Sequence, residues 1–179
     1  MMPRLAPALG MLLALAGCWS GQPWFAASDG VAIIPDGRYR LVEPGAPPEG
    51  SDVLRITRQP DGSLKIDGAE SPLRAVLVPL GGATGAGRYI VQLEKPDPER
   101  PGKAMFMALD NRNGRYRIAV LNCGSAAAKA AEASGGSIAR DPQSASTCVF
   151  GDRDALVTTM RAAMAATPAL DLELERIPE

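Results

Sequence analysis

The sequence predicts an α+β fold built mainly of antiparallel strands, a meander sheet or partly closed barrel of about 7–9 strands with one C-terminal helix (about 152–166) and a final strand. Three observations carry this expectation. From Pro35 onward, short β-branched and aliphatic runs are divided at close intervals by Pro, Asp, Asn and Gly. Near the C-terminus Leu156, Met160 and Met164 recur at helical spacing. Residues Leu170-Asp171-Leu172-Glu173-Leu174-Glu175 then alternate with period two, as a half-buried strand does.

At the front, Arg4 and the amino terminus supply positive charge, Leu5 to Ala16 an apolar run of about a dozen residues, and Ala16-Gly17-Cys18 a small-residue exit, the tripartite pattern of a secretory signal. The run falls short of the ~20 apolar residues that span a bilayer. Leu15-Ala16-Gly17-Cys18 resembles the lipobox of bacterial lipoproteins, where type II signal peptidase cleaves ahead of a cysteine that carries a diacylglycerol. The resemblance implies a signal peptide at 1–17 and lipidation at Cys18, and two or more acyl chains give stable anchoring. An ordinary signal peptide with an incidental cysteine is the alternative. In enteric lipoproteins an aspartate after the cysteine marks inner-membrane retention. Trp19 stands there instead, which implies a periplasm-facing protein anchored to the outer rather than the inner membrane. Residues 18–36, with Gly21, Pro23, Ser28 and Gly30, are expected to form the lipidated cysteine and a tether. Within it Trp24 and Phe25 would either plug an end of the domain or rest at headgroup level. Residues 37–179 are expected to form a single β-rich domain.

Strands are expected at Tyr39 to Glu43, Val53 to Arg58, Ser63 to Ile66, Leu73 to Leu80, Arg88 to Leu93, Ala104 to Leu109 and Tyr116 to Leu121. Pro35-Asp36-Gly37 and Pro60-Asp61-Gly62 are turns because proline presets one dihedral and glycine accepts positive φ. Asn113-Gly114 favours a tight hairpin. Connections this short leave no room for helical crossovers, so pairing should be antiparallel. Between Gly124 and Thr147 the chain is rich in Ala, Ser and Gly; a short helix at Ser125 to Ser134 and a mobile insertion are expected there. Asp152 or Asp154 caps the helix that follows, and Pro168 ends it.

Beyond Cys18 two cysteines remain, Cys123 and Cys148. An exported chain meets an oxidising compartment and two thiols have one intramolecular pairing, so a Cys123–Cys148 disulfide is expected. Closing its loop of about 25 residues contributes ~3 to 4 kcal/mol in the chain-entropy account.

The chemistry is bounded mainly by absences. The chain has no histidine, which excludes Ser-His and Cys-His catalysis and the usual zinc shells. No pair of carboxylates is singled out by spacing. The glycine-rich run Gly81 to Gly87 lacks the Gly-Lys-Ser/Thr ending of a phosphate loop and leads into a strand. Asp110 to Gly114 places an arginine where a calcium loop needs an oxygen ligand. No catalytic residue, metal or cofactor is therefore assigned. Nineteen Lys+Arg against 20 Asp+Glu give no global field for nucleic acid, which is excluded as a partner.

All three tyrosines occur in one string: Gly37-Arg38-Tyr39, Gly87-Arg88-Tyr89 and Gly114-Arg115-Tyr116. Packing accounts for it, with glycine ending a turn, arginine facing solvent and tyrosine closing the sheet end with a wet hydroxyl. A shared tyrosine-lined pocket of Tyr39, Tyr89 and Tyr116 is the alternative.

The meander, two-cysteine segment and terminal helix resemble proteobacterial lipoproteins of unassigned activity. The implied function is a non-catalytic cell-envelope lipoprotein, a binding or structural accessory domain held to the membrane by its N-terminal lipid, with an envelope protein or a small hydrophobic ligand as partner. The element order also resembles lipocalins, with Gly37-Arg38-Tyr39 standing where they carry Gly-x-Trp, which implies a carrier of small hydrophobic ligands. A third reading borrows from lipoprotein inhibitors of lysozyme or proteases, likewise small β-rich domains with a disulfide.

Overall fold

The computed structural model describes residues 19–43, 53–68, 71–81, 87–95, 102–119, 129, 132–133, 138–141, 144–165 and 172–178. In chain order these form β1 (Trp19–Gly21), β2 (Gly37–Val42), β3 (Val53–Arg58), β4 (Leu64–Asp67), β5 (Leu73–Pro79) and β6 (Gly87–Glu94). They continue with β7 (Ala104–Arg112), β8 (Arg115–Ala119), β9 (Ile138–Asp141), β10 (Ser144–Phe150), the helix α1 (Arg153–Ala165) and β11 (Leu172–Ile177).

Eight strands close into an antiparallel barrel, ordered β6-β5-β4-β3-β2-β11-β8-β7 and sealed by β6 against β7 along their whole length, from Gly87↔Asn111 to Glu94↔Ala104. Turn chemistry makes the hairpins. Asn113 and Gly114 both take positive φ, 56° and 83°, as a two-residue hairpin turn demands, and the Asn111 side chain accepts from Gly114 N at 3.1 Å. The last strand fills the gap that the meander leaves: β11 pairs antiparallel with β2 on one side and β8 on the other. Leu174 is buried and Leu172 packs against the interior, so the described leucines of the alternating C-terminal segment face inward.

Strands β5, β6 and β7 read as nearly continuous apolar runs because both their faces are covered. Ala75, Leu77, Tyr89, Val91, Leu93 and Leu109 fill the barrel interior. Val76, Val78, Ile90, Phe106 and Ala108 point outward into a second core under α1. The helix begins at a cap in which Asp152 Oδ1 accepts from Ala155 N at 2.7 Å, so Asp152 rather than Asp154 fills that role. Leu156, Thr159, Met160, Ala163 and Met164 form its buried stripe. Burying a side chain such as Leu156 or Met160, both 0% exposed, contributes ~1.5–3 kcal/mol each.

Two expectations need correction. The supposed tether at 18–36 is, from Trp19 onward, part of the domain. β1 pairs with β7 at Trp19↔Phe106, Trp19 is 0% exposed, and Phe25 is buried in the outer core with Trp24 packed against it. Apolar aromatic surface decides this, because Trp19 and Phe25 bury far more area than the intervening Gly, Ser and Pro could hold in solvent. The Ala/Ser/Gly-rich stretch expected to be a mobile insertion lies mostly outside the described residues, but it holds β9 and the start of β10, and β10 just beyond it pairs with β1 in parallel register, Trp19↔Cys148 and Ser20↔Val149. Pairing is thus not antiparallel throughout, since β1 and β10 come from distant parts of the chain with no hairpin to reverse them. The expected helix at Ser125 to Ser134 lies mostly outside the described residues.

Candidate functional site

Strands β2, β6 and β8 run in the same direction around the barrel, so their first residues lie at one end. That topology places the three Gly-Arg-Tyr strings together: the pleat turns Tyr39, Tyr89 and Tyr116 inward, where all three join one buried cluster at 1%, 1% and 7% exposure. Neither the hollow beside Asp61 nor the one beside Arg117 is lined by any of them. The segment Val31 to Pro35 enters this end of the barrel, with Ile34 buried and Val31, Ala32 and Ile33 packed against the interior. Tyr39 Oη donates to Pro35 O at 2.7 Å and Tyr116 Oη donates to Ile33 O at 2.9 Å. The hydroxyls expected to be wet therefore hold a plug. Burial raises the Tyr39 and Tyr116 pKa values, with Arg176 beside Tyr39 and Arg58 beside Tyr116 pulling the other way.

The plug is secured on its other flank by β5. β4 pairs with β5 only as far as Ala75, and beyond that point Val31 N donates to Leu77 O at 2.8 Å. Upstream, the buried side chain of Gln92 grips Phe25 by both backbone groups. Gln92 also donates to Glu94 at 2.7 Å, Arg74 lies 3.4 Å from Glu94 and 3.0 Å from Asp61, and Ser63 Oγ donates to Asp61 at 2.6 Å. Hydrogen bonds from the Ser63 hydroxyl first, then from Ser63 N–H and Arg74, lower the Asp61 pKa to about 2. A surface hollow lined by Pro60, Asp61, Lys65 and Arg74 lies over this network, whose polar atoms are already engaged with one another.

A second hollow, lined by Arg112, Asn113, Arg115, Arg117 and Glu173, lies on the outer wall at the tyrosine end. Each inward tyrosine has an outward arginine before it, so the topology that gathers the tyrosines also gathers Arg38, Arg88 and Arg115. Arg112 pairs with Asp110 at 2.8 Å and Arg115 with Glu173 at 3.6 Å, while Arg117 Nε is buried without a hydrogen-bond partner. The sequence did carry a signal here, since Arg115 and Arg117 share one face at period two beside an Asn-Gly turn. Read singly they are ordinary solvent-facing charges.

Cys148 is buried in the outer core and is disulfide-bonded. Cys123 and Cys18 lie outside the described residues. Among the described residues no three potential metal ligands come together, and no helix there is long and apolar enough to cross a membrane. Compared with known proteins, the chain matches no protein-family model, no curated protein and no solved structure.

Proposed function

We propose that the protein is a non-catalytic cell-envelope lipoprotein, anchored through Cys18 and facing the periplasm, whose barrel is an accessory domain that works through its outer surface. The observation that carries this reading is the filled barrel. Eight strands enclose only enough room for side chains or one small ligand, and here Tyr39, Tyr89, Tyr116 and the Val31–Pro35 plug occupy it. What the domain offers a partner is therefore its exterior. Trp19 is buried in the outer core one peptide bond after Cys18, so a lipid there would hold that exterior against the bilayer without slack. The disulfide at Cys148 is assigned to Cys123, as befits an exported chain. Growth with labelled palmitate tests the anchor: label enters the wild type and not Cys18→Ser, which moves to the soluble periplasmic fraction. A Cys18→Ser protein that stays membrane-bound overturns it.

A second reading, the lipocalin-like carrier of a small hydrophobic ligand, is favoured by the closed eight-stranded barrel. It requires the Val31–Pro35 segment to leave the interior. Native mass spectrometry decides it: a carrier takes up fatty acid, and more so when Tyr39→Phe and Tyr116→Phe loosen the plug. A filled barrel takes up none.

A further inference from the structure

The outer face that α1 covers at Ile90, Ala108 and Ala119 continues, toward the tyrosine end, as charge. On β6, β7 and β8 the next outward residues are Arg88, Asp110 with Arg112, and Arg117 with Arg115. Glu173 of β11 stands directly across from Arg117. Arg88 and Arg117 flank Asp110 on its two sides, each as a direct cross-strand neighbour. Four guanidinium groups thus meet Asp110 and Glu173, with the exposed Glu175 the next outward residue of β11 and Arg40 of β2 directly across from it. Asp110 and Glu173 are sunk into the wall, with 8% and 20% of the side chain exposed, while Arg112 and Arg115 project with 67% and 78%. What the wall presents outward is positive.

Arg112 and Arg115 are also direct cross-strand partners. Like charges so placed weaken a ladder, and here each is met by one carboxylate, Arg112 by Asp110 and Arg115 by Glu173.

The position of the anchor supplies the occupant. β7 serves as a ruler: Trp19 pairs at Phe106, Arg117 at Asp110 and Arg115 at Arg112. At about 3.4 Å per residue, Arg117 and Arg115 lie roughly 14 and 20 Å along the strand from Trp19. β1 runs antiparallel to β7, so the N-terminal end of β1, at Trp19, is the end that faces these arginines. Resting on the lipid-anchor reading, we infer that this arginine wall docks on the phosphate headgroups of an anionic bilayer and sets the orientation of the anchored domain. Guanidinium groups suit the task, since each can grip a phosphate with two parallel hydrogen bonds.

The test uses the chain from residue 18 with Cys18→Ser, so no acyl chain contributes, and sedimentation with vesicles of phosphatidylcholine alone or mixed with phosphatidylglycerol. Binding is expected only to the anionic vesicles and should weaken with salt. A basic residue near such a surface is worth about a factor of five in partitioning, so R112A/R115A should bind about 25-fold and R112A/R115A/R117A on the order of 100-fold more weakly. R112A/R115A takes their ion-pair partners from Asp110 and Glu173, so binding is read at a temperature where a circular-dichroism melt shows the variant still folded, which separates lost docking from lost folding. Equal binding to neutral vesicles, unchanged binding of the variants, or displacement by inorganic phosphate at constant ionic strength overturns the proposal. Failed palmitate labelling with intact, arginine-dependent vesicle binding would remove the anchor and leave the docking surface.

Discussion

The carboxamide of Gln92 takes the place of a neighbouring strand for Phe25, accepting from Phe25 N at 3.0 Å and donating to Phe25 O at 2.9 Å. The pair is sequestered: Gln92 is 0% and Phe25 3% exposed, and Arg153 at the start of α1 lies over the Phe25 ring, 4.9 Å from its centroid. A backbone segment with no ladder of its own is thereby pinned between barrel wall and helix. The N-terminal segment then runs through the turn at Ala27–Asp29 into the barrel as the plug.

Replacing Gln92 with Leu should therefore destabilise more than loss of an ordinary side-chain hydrogen bond. A buried donor and a buried acceptor on Phe25 both lose their partners, at ~1–3 kcal/mol each. Urea denaturation should show a fall of about 2–5 kcal/mol for Gln92→Leu. A fall under ~1 kcal/mol would mean that the Phe25 backbone finds water or another partner.

Tyr39 and Tyr116 hold adjacent parts of one short segment, so their hydroxyls should act as a coupled pair. Each Tyr→Phe change leaves Pro35 O or Ile33 O without its donor and should cost ~1–2 kcal/mol. The double variant should cost less than the sum, because once one bond is lost the segment is freer to relax around the other. Amide exchange should identify the cause: Val31 and Ile33 become faster while the β6–β7 ladder keeps its protection.

The same two phenols fix an alkaline limit. Burial raises the pKa of Tyr39 and of Tyr116 above the usual 10.0, so the folded chain holds these protons more tightly than the unfolded chain does. Their contribution is fully present below pH 10 and is lost as pH rises through the folded-state values. Denaturant midpoints should be level in this respect up to pH 10 and fall above it, in step with tyrosinate absorbance. In the Tyr39→Phe/Tyr116→Phe variant that alkaline decline should flatten.

How far this could be read from sequence varied with the kind of signal. The barrel strands and α1 were legible because turn residues such as Asn113-Gly114 and the Leu156, Met160, Met164 stripe are local devices acting within a few residues. β10 was not, because Ser144-Ala145-Ser146-Thr147 carries little strand preference and its pairing with β1 depends on contacts between chain segments more than a hundred residues apart. β1 was obscured by the Gly and Pro that follow it, although Trp19 gave the hint of a residue too large to leave in a tether. The tyrosine strings announced a shared role. Their meeting place became visible only once β2, β6 and β8 were seen to run the same way, and the plug they hold lay inside the segment read as linker. Gln92, a lone amide in the run Ile90-Val91-Gln92-Leu93, signals a buried polar role, but its partner is set by the fold.

Gly30 tests how tightly the plug segment seats. Its backbone is extended, φ −96°, so conformation alone would admit any residue. Space does not: a Cβ at Gly30 would stand 2.8 Å from Val76 Cγ1 and 3.4 Å from Leu77 O, beside the bond from Val31 N to Leu77 O. Alanine there must push the segment off β5 or force Val76 from its rotamer, and overpacking of this kind costs ~1–3 kcal/mol. Val76→Ala alone opens the outer core and should also destabilise. Combined, the two should be less harmful than their sum, because the methyl added at Gly30 enters space that Val76 has vacated. Thermal melts of the two single variants and the double variant measure this coupling. Strict additivity would show that Val76 is not what holds Gly30 to glycine.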